Sequence, residues 1–180
     1  MSALVTVLRA VACAALVGGA GCAGIATVGA DPEPPPAPAP APDPQDILAD
    51  ALSRGYSMSN CGPEEPPPPG VVVALSCGQN SDGSGPAMAT YLLYSDVTSL
   101  RNGFSAAIQN ESLTTCGDTE QSPTTWRLGS TGAAAGKVAC GTFQDAAEII
   151  WTTEAKNVLS YIRGQNVDVR ALYNWWRIKG

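Results

Sequence analysis

Residues 136–162 read GKVACGTFQDAAEIIWTTEAKNVLSYI, and this stretch decides the fold that the sequence predicts. It begins with two apolar segments, 137–142 and 146–152, which are separated by a short polar turn. Side chains that alternate between two faces, as they do here, are typical of a β-hairpin. A helix with one apolar face is expected to follow from Thr153 or Glu154. That face comprises Ala155, Val158, Leu159 and Ile162.

An earlier stretch, Gly70–Phe104, has the same order of elements. Residues 71–76 are β-branched and apolar, and residues 87–94 form a partner segment beyond a turn rich in Gly and Ser. The two segments predict a second hairpin. Ser95 or Asp96 is suited to cap the helix that follows it. The chain is therefore expected to contain a doubled strand–strand–helix unit.

Two further helices are expected outside this doubled unit. Asp43 can cap the first, with Pro44 at its first helical position, and Asp168 can cap the last. The resulting class is α+β, with an antiparallel sheet of four to six strands and helices on one face. A single α+β domain at 45–180 would contain two pseudo-symmetric halves, one at about 45–109 and one at about 110–180.

Four cysteines lie after the N-terminal segment, and each of them precedes a glycine. Four cysteines in an exported chain predict two disulfides, for which three connectivities are possible. The repeat favours pairing within each half, Cys61–Cys77 and Cys116–Cys140. A zinc site is not expected, because the spacings contain no CxxC pair and the chain has no histidine.

The first 30 residues are expected to act as an export signal and to lie outside the fold. Arg9 is their only charged residue, and an apolar run of Ala, Val, Leu and Gly follows it. Three outcomes stay open: cleavage after Ala30, lipid attachment at Cys22 within a degenerate lipobox, or an uncleaved membrane span. All three place the rest of the chain outside the cytoplasm, either secreted or attached to the cell envelope.

Residues 31–44 form a proline-rich segment with no side chain that could build a core. Such a composition predicts a stiff, extended linker. It would serve either as a stalk that holds the domain away from a membrane or as a spacer that keeps the cleavage site accessible.

The exported part of the chain is acidic. All 16 acidic residues lie after Ala30, whereas Arg9 precedes it, which leaves nine basic residues and a net charge of −7. Because an acidic domain repels phosphate backbones, nucleic acid is not an expected partner. There is no basic run for anionic lipid, so membrane contact is expected only through a lipid or an uncleaved N-terminal anchor.

Most catalytic machinery is missing from this sequence. Without histidine, and with the later cysteines expected to be oxidised, the usual Ser-His-Asp and Cys-His groups are excluded. The remaining catalytic hypothesis is a pair of carboxylates, as in glycosidases, with two candidate pairs: Asp118 with Glu120, and Asp145 with Glu148. Because these residues lie in or beside polar loops, we expect no enzyme activity, no cofactor and no metal.

Two tryptophans are candidate binding residues. Trp175 and Trp176 are adjacent, so on a helix their side chains point about 100° apart, and Trp176 matches the buried face. Trp175 and Trp126 are therefore the aromatic residues that could stack on a ligand or partner. The alternative is that both cover a seam of the core, since large aromatic side chains are seldom fully buried.

Several segments together resemble a module of actinobacterial cell-envelope proteins. They are YLLYSDVTSL, SPTTW, GKVACGT, IIWTT and LYNWW, together with the Cys-Gly pairs. Similar segments form the extracellular C-terminal part of some actinobacterial Ser/Thr protein kinases, and occur in free-standing secreted proteins or lipoproteins. The start of the proline-rich segment, ADPEPPP, is similar to that of mycobacterial exported proteins. The resemblance spans about Cys61–Trp176 and implies an envelope-facing binding module, without naming a catalytic residue.

The expected function is therefore a non-catalytic exported module that binds an unidentified ligand or protein of the cell envelope. The cleft between the two halves is the expected place for a ligand. Two alternatives stay open. One is a hydrolase that acts on wall polysaccharide with paired carboxylates, and the other is a structural or assembly protein of the envelope.

Overall fold

A computed structural model describes residues 41–118, 121–129 and 132–180. The described chain is α+β, with three α-helices and eight strands. The helices are α1 (Pro44–Ala49), α2 (Val97–Ala107) and α3 (Val169–Lys179). The strands are β1 (Cys61–Pro63), β2 (Val71–Cys77), β3 (Met88–Tyr94), β4 (Ser112–Thr114), β5 (Thr124–Arg127), β6 (Ala134–Phe143), β7 (Ala146–Thr153) and β8 (Val158–Arg163). Within these residues, no helix combines the length and the apolar character of a membrane span.

All eight strands belong to one antiparallel sheet. Their order across the sheet is β1-β2-β3-β8-β7-β6-β4, and β5 also pairs with β6. β3 and β8 are direct neighbours, with Met88 opposite Arg163 and Leu93 opposite Val158. This pairing joins the hairpin β2–β3 to the hairpin β6–β7 in one continuous sheet.

The segment after Thr153 forms a strand, so the expectation of a helix from Thr153 or Glu154 is wrong. A 3-10 turn and Asn157, which has a left-handed conformation with φ of 54°, lead directly into β8. The apolar residues of this segment fit a helical face and an alternating pattern equally well, and periodicity alone does not separate the two. Backbone pairing with β3 on one side and with β7 on the other stabilises this segment as a strand.

The strand count and the doubled unit also differ from the expectation. β2, β3 and α2 follow the expected order, whereas the second part of the chain has β6, β7 and β8 before α3. The short strands β1, β4 and β5 bring the sheet to eight strands, where four to six are expected from the sequence. These segments of three or four residues are too short for a clear periodic signal.

The helices lie on both faces of the sheet, so the expectation of helices on one face is wrong. We call the two sides the α2 face and the α1–α3 face. On the α2 face, Leu100 and Phe104 pack with Ala74, Leu92, Ala139, Ile150 and Leu159. On the α1–α3 face, Leu48, Leu172 and Trp176 pack with Leu75, Tyr91, Ile149, Trp151 and Ile162. The central strands are therefore buried on both sides.

The predicted helix caps are present at all three α-helices. Asp43 accepts a hydrogen bond from the N–H of Gln45, Asp96 from the N–H groups of Thr98 and Ser99, and Asp168 from the N–H of Ala171. Each carboxylate satisfies backbone donors that the first turn of a helix leaves without partners.

The structure confirms two disulfides, Cys61–Cys77 and Cys116–Cys140. Cys61 lies directly opposite Cys77 in the β1–β2 pair, and the second bridge fixes the loop after β4 to β6. Disulfides are typical of an extracellular or otherwise oxidising environment. The predicted signal at 1–30, cleavage after Ala30, lipidation at Cys22 and the first ten residues of the predicted linker lie outside the described residues.

Replacing Leu100 by Ala should destabilise the fold, because this fully buried side chain fixes α2 to the sheet. We expect a loss of about 2–5 kcal/mol in the free energy of unfolding, measured by urea denaturation. Leu128→Ala is the matched control, since that side chain is 68% exposed and should change the value by less than about 0.5 kcal/mol. Equal losses in the two variants would contradict the packing of α2 on the sheet.

Candidate functional site

α2 covers only part of its face of the sheet. Beside the part that it covers, an open cavity of about 280 Å³ lies over β3, β8 and β7. We call it the open-end cavity. Its lining comprises Glu64, Pro68, Met88, Ala89, Thr90, Leu92, Glu148, Tyr161 and Arg163.

Strand alternation places the charged side chains in this cavity. Along β8, Tyr161 and Arg163 follow Leu159 on the α2 face, because every second residue points to the same side. Along β7, Glu148 lies two residues before Ile150 on the same face. The register then makes Glu148 and Arg163 direct neighbours across the β7–β8 pair.

The guanidinium group of Arg163 is held by three acceptors and an aromatic ring. It donates hydrogen bonds to Glu148 Oε1 and to the carbonyl oxygens of Phe143 and Gln144, each at 3.0 Å. It also lies 5.8 Å from the centre of the Phe143 ring, within the range of a cation–π interaction. Both partners of the Glu148–Arg163 ion pair are mostly buried, which limits screening by solvent.

A second carboxyl group, that of Glu111, lies against Glu148. Glu111 comes between the 3-10 turn that follows α2 and the edge strand β4. The two carboxyl groups interact at hydrogen-bonding distance. As a pure acceptor, the buried Oε2 atom of Glu111 would have no partner among the described residues. A single proton shared by the two carboxyl groups accounts for both their contact and the buried Oε2 atom, because a protonated carboxyl donates a hydrogen bond to its neighbour.

The electrostatics of the cavity favour this shared proton. Burial and, after it, the charge of Glu111 together raise the pKa of Glu148 to about 7, against the opposing effect of Arg163. Burial also raises the pKa of Glu111, while its hydrogen bond to Glu148 and the charge of Arg163 oppose the rise. The pKa of Tyr161 is raised by burial and by nearby Tyr94, Glu148 and Glu111. The carboxyl pair therefore exchanges its proton close to neutral pH.

Of the two carboxylate pairs that the sequence suggests, only Asp145 with Glu148 lies wholly within the described residues, and its two members lie in different surroundings. Glu148 lies in the cavity, but the carboxyl group against it is that of Glu111. Asp145 is exposed in the β6–β7 turn, with φ of 59°. Asp118 forms an exposed ion pair with Arg170 at 2.9 Å. Its suggested partner, Glu120, lies outside the described residues.

The two candidate tryptophans lie at the α1–α3 face, away from the open-end cavity. Trp175 is 7% exposed, and its indole N–H donates to Asp82 Oδ2 at 3.2 Å. Trp126 is partly buried, donates to the carbonyl of Thr152 at 2.7 Å and meets Trp176 edge to face at 5.9 Å. These contacts match the alternative in which both rings cover a seam of the core, and a role in binding stays a prediction.

Three residues in or beside the open-end cavity, Glu111, Tyr161 and Arg163, are not among the candidates that the sequence suggests. Tyr161 and Arg163 follow from the alternation of β8 once that segment is recognised as a strand. Glu111 has no comparable signal. Its proximity to Glu148 arises because the chain returns from α2 to pair β4 with β6.

No protein family model matches this chain, and neither a curated protein nor a solved structure matches it. Among the described residues, no group of three or more His, Cys, Asp or Glu side chains is placed to hold a metal ion. The case for this site therefore rests on its geometry and its chemistry.

The stability of the fold should decrease as the pH rises from 5 to 8. The pKa of Glu148 in the folded state, about 7, lies above its ordinary value of 4.5. Between these values the folded state binds more protons than the unfolded state, so stability is lost as the pair ionises. Glu148→Gln removes the titrating group and should flatten this decrease, as measured by urea midpoints at four pH values.

Glu154→Gln is the matched control for this experiment. The hydrogen bond from Arg101 lowers the pKa of Glu154, so this group is ionised in both the folded and the unfolded state above pH 5.5. The control should therefore keep the pH dependence of the unchanged protein. If Glu148→Gln kept it as well, the shared proton would be ruled out.

Proposed function

We propose that this chain is a non-catalytic module, exported to the cell envelope, which binds a small ligand in the open-end cavity. The observation that carries the proposal is a concave site in which apolar side chains meet a few converging polar groups. Met88, Leu92 and Pro68 supply the apolar part, and Glu148 and Arg163 supply the polar part. This combination is typical of small-molecule sites.

The position of the cavity also supports a binding role. Its floor combines β3 with β7 and β8, so it lies across the boundary between the first and second parts of the chain. This is where the sequence leads us to expect a ligand. The two disulfides and the resemblance to envelope modules support the exported location.

A hydrolase is the second candidate, and the same carboxyl pair is the observation that favours it. A carboxyl group in a cavity with a pKa of about 7 is suited to act as a general acid. However, glycosidases separate their two carboxyl groups by about 5–5.5 Å or about 6.5–9.5 Å, which leaves room for the sugar or a water. Glu111 and Glu148 are hydrogen-bonded to each other, and this closer approach favours binding over hydrolysis.

Amide NMR of the ¹⁵N-labelled protein tests the proposal, with soluble muropeptides from digested peptidoglycan as the probe. We expect shift changes that cluster at Thr90, Glu148, Tyr161 and Arg163. Thr90→Trp should abolish them, because the larger side chain would fill the cavity. Leu128→Trp, at an exposed position that is not among the residues lining the cavity, should leave them unchanged.

Two results would count against the proposal. Shift changes that survive in Thr90→Trp would place the ligand elsewhere. Release of reducing sugar from the same muropeptides, lost in Glu148→Gln, would favour the hydrolase.

A further inference from the structure

We propose that the open-end cavity selects a ligand with an alkylammonium group, which replaces the proton shared by Glu111 and Glu148. This inference rests on the proposed function and names the class of ligand for the same site. On binding, the ammonium group keeps its own three protons, and the carboxyl pair releases one proton to the solvent.

The charge balance of the cavity supports a cationic ligand. Two carboxyl groups, those of Glu64 and Glu148, line it, and that of Glu111 lies against Glu148; Arg163 is the one cation among its described lining residues. The guanidinium group is already bound by Glu148 and by two backbone carbonyl groups. An anionic ligand would have to displace these partners, whereas a cationic ligand meets carboxylate charge that Arg163 does not balance.

The geometry of the carboxyl pair fits an ammonium group in particular. The buried Oε2 atom of Glu111 has no donor when the pair is ionised. An ammonium group presents three donors and no acceptor, so it can satisfy both carboxylates at once. Charge-assisted hydrogen bonds of this kind are stronger than those between neutral groups.

The rest of the cavity fits a short alkyl chain. Met88, Leu92 and Pro68 offer apolar surface, and the Tyr161 ring lies beside the carboxyl pair. A volume of about 280 Å³ is at the small end of known ligand sites. The cavity is therefore sized for one alkylammonium arm, such as an aminoalkyl side chain, rather than for a large ligand.

Exchange of a proton for an ammonium group makes binding depend on pH. Arg163 from β8 acts on both carboxyl groups of the pair, Tyr161 from β8 lies beside them, and Glu64 from the β1–β2 connection lines the same cavity. With a pKa of about 7 for Glu148, its ionised fraction rises from roughly a tenth at pH 6 to roughly nine tenths at pH 8. Affinity for an amine should therefore increase about tenfold over this range.

The test uses three four-carbon probes that differ only in the end group: n-butylamine, n-butanol and butyrate. Amide shifts of the ¹⁵N-labelled protein are followed during titrations at pH 6 and pH 8. At pH 8, n-butylamine should bind at least about tenfold more tightly than the other two probes. Its affinity should fall about tenfold at pH 6, while that of n-butanol stays the same.

Two variants and a control assign the effect to the pair. Glu148→Gln should weaken n-butylamine binding about tenfold and remove its pH dependence, and Glu111→Gln should weaken it and shift that dependence to lower pH, because burial of Glu148 remains. Glu111→Gln keeps the ion pair between Glu148 and Arg163, so it remains informative if Glu148→Gln fails to fold. Glu154→Gln removes an equal charge from the site of the Arg101 ion pair and should have no effect.

The possible outcomes separate this inference from the function on which it rests. Tighter binding of butyrate or n-butanol in the cavity would overturn the ammonium class and leave the binding function intact. Shift changes outside the cavity would overturn the ammonium site, and an absence of changes with all three probes and with muropeptides would overturn both. Binding of n-butylamine that is equal at pH 6 and pH 8 would overturn the proton exchange.

Discussion

The position of β8 between β3 and β7 is the constraint on which the rest of the structure depends. Its backbone pairs on both sides, so a single antiparallel sheet runs from β1 to β4. Its side chains must then alternate between two buried faces, which requires helices on both. α1 and α3 pack on one face and α2 covers part of the other. The part that α2 leaves uncovered is the open-end cavity.

The same strand accounts for the chemistry of that cavity. Alternation places Tyr161 and Arg163 on the α2 face, and the register sets Arg163 beside Glu148. The chain then brings Glu111 against Glu148 as it returns from α2 to the sheet edge. Burial of two carboxyl groups beside one guanidinium group leaves a negative charge that either a proton or a cation can balance. A structural element that joins the two parts of the chain thus also creates the polar site between them.

Local signals in the sequence predict much of this fold, because they act over a few residues. Asp96 and Asp168 identify helix starts through the donors of a first turn, and the residues around Gln144 and Asp145 mark a hairpin. β8 is harder to predict, since Val158, Leu159 and Ile162 suit either period and the choice depends on strands that are distant in sequence. The Glu111–Glu148 contact is harder still, because it depends on the path of the chain after α2. The sequence points to Glu148 and suggests Asp145 as its partner, whereas the structure sets Glu111 against it.

The most direct test of this account is a ¹³C NMR titration of the glutamate side-chain carboxyl carbons between pH 3 and pH 9. The account predicts that Glu148 titrates near pH 7 and that the Glu111 resonance changes over the same range, because the two groups share one proton. Independent titration of both groups near their ordinary pKa of 4.5 would contradict it. In that case the cavity would hold two solvated carboxylates, and neither the shared proton nor its exchange for a cation would remain.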